Sequence, residues 1–257
     1  MLMLAAAAST LLLAVSPAAP AGPVLFVFAH PDDEIITAPF IAGLSRRGIP
    51  AVLAFATAGE RGGPADGSVV AGSALGAIRS AEARCSATAL GAPPPRFLGF
   101  EDGGLGDRVS PTSARLSALG IAVRGLVTEL HPRAIVTWGP DGGYGHPDHR
   151  LVGAVTSEVA LGIIGGPPLF YPGLPADAIA AHAPRFIPWT GVDPALLTVR
   201  IAFTPADLAT ARTAAICHHS QFPTPQLVDA IAADLTGIMA GAVHLRPARP
   251  TADNPFE

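Results

Sequence analysis

The hydrophobic pattern alternates between two kinds of segment. Val24–Ala29 (VLFVFA) and Ala51–Thr57 (AVLAFAT) are short, unbroken apolar runs, the mark of strands buried on both faces. Arg96–Phe100 and Ala134–Trp138 (AIVTW) predict a third and a fourth strand. Between them lie helical stretches: Ile35–Arg47, stopped by Gly48-Ile49-Pro50; Ala74–Leu90, ended by Gly91; and Pro111–Leu130, with Ser110 as its N-cap. A further helix is expected over Asp148–Leu161, and Ala58–Val70, rich in Gly and polar residues, reads as a loop. Strands alternating with helices predict an α/β fold, with a mostly parallel sheet, right-handed crossovers and helices on both faces. After Gly165 the pattern weakens. Phe170–Pro194, with its many prolines, is expected to form a long loop or small subdomain over the sheet edge. Leu197–Phe203 reads as a strand, Pro205–Cys217 as a helix capped by Thr204, and the chain from Arg246 as an irregular tail.

Two short motifs interrupt this pattern where strands end. Ala29-His30-Pro31-Asp32-Asp33-Glu34 follows the first strand, and Gly145-His146-Pro147-Asp148-His149 opens the helix after the fourth. In doubly wound sheets ligands gather outside the carboxyl ends of the strands, so segments over 100 residues apart are expected at one edge. Imidazole nitrogen and carboxylate oxygen both suit a divalent metal, and His30, Asp33 and His149 are the candidate ligands. The neighbouring Asp32 is the candidate base, able to take a proton from a metal-activated water and pass it to a leaving amine. His146 is either a further ligand or a donor to an oxyanion, which Tyr144 can also reach. Asp148 is expected to accept a hydrogen bond from an imidazole and fix its orientation. A dinucleotide site is set aside, because no Gly-x-Gly-x-x-Gly turn follows the first strand.

Composition narrows the class. The chain has 257 residues, 49% of them hydrophobic and 14% charged, with a formal net charge of −4 and no basic block, which argues against nucleic acid as a partner. All 16 cationic side chains are arginine, so no lysine nucleophile or Schiff base is available. Cys85 and Cys217 lack any paired metal-binding spacing and are read as two buried small apolar residues, although a single disulfide is also open to them. Residues 1–21 form an apolar leader whose Ala19-Pro20-Ala21 resembles a signal-peptidase site, with residues 22–257 as one catalytic domain. The expectation is therefore export if the leader is cleaved and a cytoplasmic protein otherwise, with no stable membrane span.

The two motifs together resemble those of the PIG-L/LmbE-like zinc-dependent deacetylases. The likeness runs from about Val24 to Gln221. It takes in Thr57-Ala58-Gly59-Glu60, Arg79-x-x-Glu82, Leu98-Gly99-Phe100-x-Asp102 and His218-x-Ser220-Gln221. It implies a Rossmann-like three-layer fold and one zinc per chain on His30, Asp33 and His149, a site that iron(II) would also tolerate. It further implies that Asp32 is the general base and acid, and that His146 is the electrophile, oriented by Asp148. Arg79, Asp102, Glu60 and His218 would bind substrate. The implied activity is removal of an N-acetyl group from a glucosamine-containing small molecule. Two other readings remain open: an amidase for a non-sugar N-acyl substrate, and a non-catalytic carbohydrate-binding protein. Tyr171 and Trp189 are candidate sugar-stacking residues or, alternatively, core or loop anchors.

Overall fold

The computed structural model describes residues 22–63, 67, 70–106, 114–184, 187–250 and 254–256. The expected leader and the expected cap Ser110 lie outside the described residues. Strands β1 (Val24–Phe28), β2 (Ala51–Thr57), β3 (Arg96–Phe100) and β4 (Ala134–Thr137) fall where the apolar runs predict them. So do helices α1 (Ala38–Arg46), α2 (Ser73–Ala89) and α3 (Ala114–Leu130). The first motif does not enter α1 directly. Asp33–Thr37 instead forms a 3-10 turn ahead of it. A single turn, α4 (Gly142–Gly145), precedes α5 (Pro147–Leu161), where Pro147 occupies the first helical position that proline favours.

Of the two expectations for Phe170–Pro194, a long loop or a small subdomain, the first is corrected. That stretch contains β5 (Leu169–Pro172), β6 (Leu174–Pro175), α6 (Ala176–His182) and β7 (Gly191–Val192). Their proline content hides elements too short for a periodicity to register. Beyond them come β8 (Val199–Ala202), α7 (Pro205–Ile216), α8 (Pro225–Met239) and β9 (Ala242–Pro247). The cap at Thr204 is borne out as a capping box with Asp207. The expected irregular tail is instead strand β9 as far as Pro247.

The main sheet runs β3-β2-β1-β4-β5-β9-β8. The first five strands are parallel, and β9 pairs antiparallel with both β5 and β8. β1 shows why the sheet is buried on both sides. Val24, Phe26 and Phe28 face one core, with residues of α1, α2, α7 and α8, while Leu25 and Val27 face the other, with residues of α3 and α5. The chain leaves β1 toward β2 and β3, then returns to β4 on the opposite side. The strand order therefore reverses between β1 and β4, where a crevice opens at their carboxyl ends. α5 can approach that crevice because of Gly153: a Cβ there would lie 2.2 Å from the carbonyl oxygen of Trp138. No described helix is long and apolar enough to cross a membrane.

Candidate active site

The crevice brings the two motifs together. His30 Nδ1 lies 3.2 Å from His149 Nε2, which lies 3.0 Å from Asp33 Oδ1, and His30 Nδ1 to Asp33 Oδ1 is 3.9 Å. A tetrahedral site with bonds of about 2.0–2.2 Å has ligand-to-ligand edges of roughly 3.3–3.6 Å. The three atoms form a triangle close to that size, so the donor set fits a small divalent metal.

Each candidate ligand is aimed by its other polar atom, as metal ligands usually are. Asp33 Oδ2 accepts from the backbone N–H groups of Ala29 and His30 at 2.9 and 3.0 Å and from Trp138 Nε1 at 2.9 Å. His149 Nδ1 meets the carbonyl of Gly142 at 3.0 Å, and its ring stacks on Trp138 with centroids 4.6 Å apart. His30 Nε2 faces Asp102 Oδ1 at 3.1 Å and Asp148 Oδ2 at 3.4 Å. Burial disfavours charge on His30, but Asp102, Asp148 and Asp33 outweigh it and hold its pKa well above the ordinary value. Asp33, although buried, is held well below the carboxylate range by His149 and His30.

Asp32 sits in the left-handed region with φ 96°, a strained conformation for a residue with a side chain. Glu34 sustains it by accepting the Asp32 backbone N–H at 3.0 Å. Glu34 is fully buried and in turn accepts from Ser86 Oγ and pairs with His218 Nε2 at 2.7 Å. Arg79 braces the same turn from the other side, donating to the carbonyls of Pro31 and Gly59 and to Asp32 Oδ2 at 3.0 Å. Gly59 makes room for it: its φ is +67°, and a Cβ there would come within 2.5 Å of the guanidinium. Burial pushes the Asp32 carboxyl up, and Arg79 offsets only part of that rise.

On the second motif, His146 Nδ1 accepts the backbone N–H of Asp148 at 3.2 Å. A neutral His146 therefore carries its proton on Nε2, and burial together with the charges on His30 and His149 lowers its pKa. The Tyr144 hydroxyl is driven up by burial and by Asp33 and Asp32, so it stays protonated.

Several placements differ from the expected roles. The carboxylate of Asp148 meets His30 and the Gly103 N–H, not His146, which it touches only through its backbone. Asp102 spends its second oxygen on the N–H groups of Arg61 and Gly62, and Glu60 holds the Asp102 N–H at 2.8 Å. His218 is fully buried behind Glu34, so it is not placed to touch a substrate. Glu82 accepts from the N–H and hydroxyl of Ser220 at 2.8 and 2.7 Å. Tyr171 is a core anchor bonded to Ser157, whereas Trp189 does reach the crevice, edge-on to Tyr144. Cys85 and Cys217 are not separate buried thiols. They form a disulfide joining α2 to the end of α7, one residue from Ser86 and His218 respectively. The sequence reading missed Trp138, Glu34 and Ser86 as site residues. An indole at the end of a strand and an acid directly after two aspartates were the available signals.

Two cavities meet at this centre. One, of about 280 Å³, is polar and lined by His30, Arg61, Arg79, Asp102 and His146. The other, of about 320 Å³, is walled by Trp138, Ile187, Trp189, Phe222, Ile231 and Leu235. Asp32, Tyr144 and Gln221 border both.

Known proteins resemble this chain to different depths. A 1D-myo-inositol 2-acetamido-2-deoxy-α-D-glucopyranoside deacetylase of Rhodococcus erythropolis is 37% identical over 150 residues, 52% of this chain and 51% of the relative. The chain thus matches about half the length of such curated relatives. Among solved structures, N,N'-diacetylchitobiose deacetylase from Pyrococcus horikoshii superposes with a TM-score of 0.64 at 22% identity, over 88% of this chain and 83% of the other. GalB, the 4-carboxy-2-hydroxymuconate hydratase of Pseudomonas putida KT2440, gives 0.66 at 18% identity, over 91% and 98%. These two likenesses establish the fold. The family described as PIG-L: GlcNAc-PI de-N-acetylase matches residues 25–160, more than half of the chain and both motif turns, and the chain belongs to that family.

Proposed function

We propose that this protein is a zinc-dependent hydrolase that removes an N-acetyl or related N-acyl group from a glucosamine-containing substrate. The observation that carries this reading is the convergence of His30 Nδ1, Asp33 Oδ1 and His149 Nε2 beside the strained Asp32. Those three residues would hold the metal, and iron(II) fits the same donors. When bound, zinc supplies Lewis acidity that lowers the pKa of water to about 7 and polarises a carbonyl.

The remaining work falls to the side chains. Asp32 takes one proton from the attacking water as oxygen bonds to the acyl carbon. It returns that proton to nitrogen as the C–N bond breaks, so an amine and a carboxylic acid leave, and the acid gives its remaining proton to solvent. A raised pKa suits both halves of that exchange. His146 Nε2–H and the Tyr144 hydroxyl are the donors for the oxyanion formed between the two steps. The polar cavity beside Arg61, Arg79 and Asp102 suits sugar hydroxyls. Two similar proteins are named for N-acetylated amino sugars, which supports that choice.

The test is carboxylate release from N-acetylglucosamine and its conjugates by protein of known metal content. Release abolished by a chelator and restored by Zn²⁺ supports the hydrolase. Stoichiometric metal and sugar binding without release would favour a carbohydrate-binding role, and release only from non-sugar amides would favour a different amidase.

Export is proposed on separate grounds. The Cys85–Cys217 disulfide closes a separation of 132 residues, and such bonds persist in oxidising compartments. Fractionation of the native host, with thiol counting on the recovered protein, checks it; a cytoplasmic protein with two free thiols would contradict the proposal.

A further inference from the structure

The two cavities that meet at Asp32 differ in chemistry, and a scissile amide has two sides. The amine side suits the polar cavity. The acyl side then points into the apolar one, whose volume of about 320 Å³ is far more than an acetyl methyl requires. A group of that size resembles one water molecule, whose share of the liquid is about 30 Å³.

A second apolar space adjoins the apolar cavity. Ile35, Phe222, Ile231 and Leu235 line it and also line a groove of about 240 Å³ between α1, α7 and α8. Among the residues lining that groove, Arg212 and Thr236 alone are polar. Ile35, Leu208, Phe222 and Ile231 are only half-buried, so their faces await an apolar partner. Arg212, the charged side chain among the residues lining the groove, is paired with Asp229 across α7 and α8.

We propose, building on the hydrolase reading above, that the acyl group removed is a long unbranched hydrocarbon chain, seated along Phe222, Ile231 and Leu235 and running into the groove between α1, α7 and α8. The bond chemistry is unchanged: water adds to the acyl carbon, the C–N bond breaks, the amine takes the proton, and a fatty carboxylate leaves in place of acetate.

The experiment uses the metal-loaded full chain and a series of N-acylglucosamines from acetyl to decanoyl. Each methylene moved out of water is worth up to about fourfold in binding. The value of kcat/KM is expected to rise at least tenfold from acetyl to octanoyl. A flat series, or a preference for acetyl, overturns the proposal while leaving the hydrolase reading intact. A second measurement is independent of turnover: calorimetric binding of decanoate against acetate. Decanoate binding without hydrolysis of any amide would keep the groove and remove the hydrolase, and no decanoate binding removes the groove. Ala232→Trp, which fills the groove, should bring the decanoyl-to-acetyl ratio of kcat/KM close to one; a ratio as in the parent protein would also overturn the assignment.

Discussion

The two walls of the crevice are built by different means. The polar wall, around His30, Asp32, Arg79 and Asp102, is tied together by side-chain and backbone hydrogen bonds. The apolar wall, around Trp189, Phe222, Ile231 and Leu235, is held by packing alone and leaves half-buried faces open. The first can hold charge and direct a proton to within a few tenths of an ångström. The second recognises by area and shape, and it tolerates change. The difference teaches where precision is needed: at the atoms that exchange protons or hold a metal, and less so where a ligand is only desolvated.

If that contrast is right, substitutions in the polar wall should affect turnover far more than those in the apolar wall. The largest effect is expected from His149→Ala, which removes one corner of the donor triangle. Metal analysis should find less than stoichiometric metal and carboxylate release at background. Asp32→Asn comes next. It should keep the metal and lose about 10²–10⁴-fold in kcat, read by steady-state kinetics with metal content alongside. Turnover at the parent rate would remove Asp32 as the proton carrier.

Glu34→Gln tests the support behind the polar wall. Glu34 lines neither of the two cavities, yet it holds the Asp32 backbone in its left-handed conformation. A loss of about 10–100-fold in kcat with KM nearly unchanged is expected, the size typical of losing such a supporting partner. Trp189→Ala tests the apolar wall and should raise KM by less than about tenfold while sparing kcat. A collapse of kcat in that variant would show that the two walls are not separable.

The smallest effect is expected at Asp207, on the far side of α1. Arg46, followed by Thr204, holds its carboxyl down to about 2. A depressed carboxylate stabilises fully above its unfolded pKa of about 3.9, and that contribution is lost as pH falls toward 2. Asp207→Asn should therefore lower Tm by a few degrees at pH 7 and by less near pH 2, without altering kcat, as thermal melts across pH would record.

Much of the polar wall was legible because its ingredients are local. His30, Asp32 and Asp33 share one turn, and His146 and His149 share another, so spacing alone places the members of each set within reach. Which acid serves which imidazole was not legible. Asp148 turned out to meet His30, 118 residues away, and Asp102 meets the same ring from β3's following turn. The supports of the Asp32 turn were hidden for the same reason: Arg79 and His218 reach it or its neighbour Glu34 by contacts that cross the fold. The apolar wall was least legible. Ile187 and Trp189 lie in the proline-rich stretch, and Phe222, Ile231 and Leu235 lie on and before α8, which the pattern did not reveal.

By itself, the sequence determined the α/β alternation, the parallel strands β1, β2, β3 and β4, and the two turns that carry the candidate ligands. Those features depend on residues a few positions apart, where covalent geometry and apolar periodicity leave few choices. Only the tertiary structure decided the antiparallel edge of β9 and β8, the bond between Cys85 and Cys217, the contacts of Ser86 and His218 that hold Glu34 beneath Asp32, and the apolar groove behind the crevice. Each of these joins positions tens to hundreds of residues apart. Such pairings are selected by how whole elements bury their faces together, and no local pattern along the chain records that.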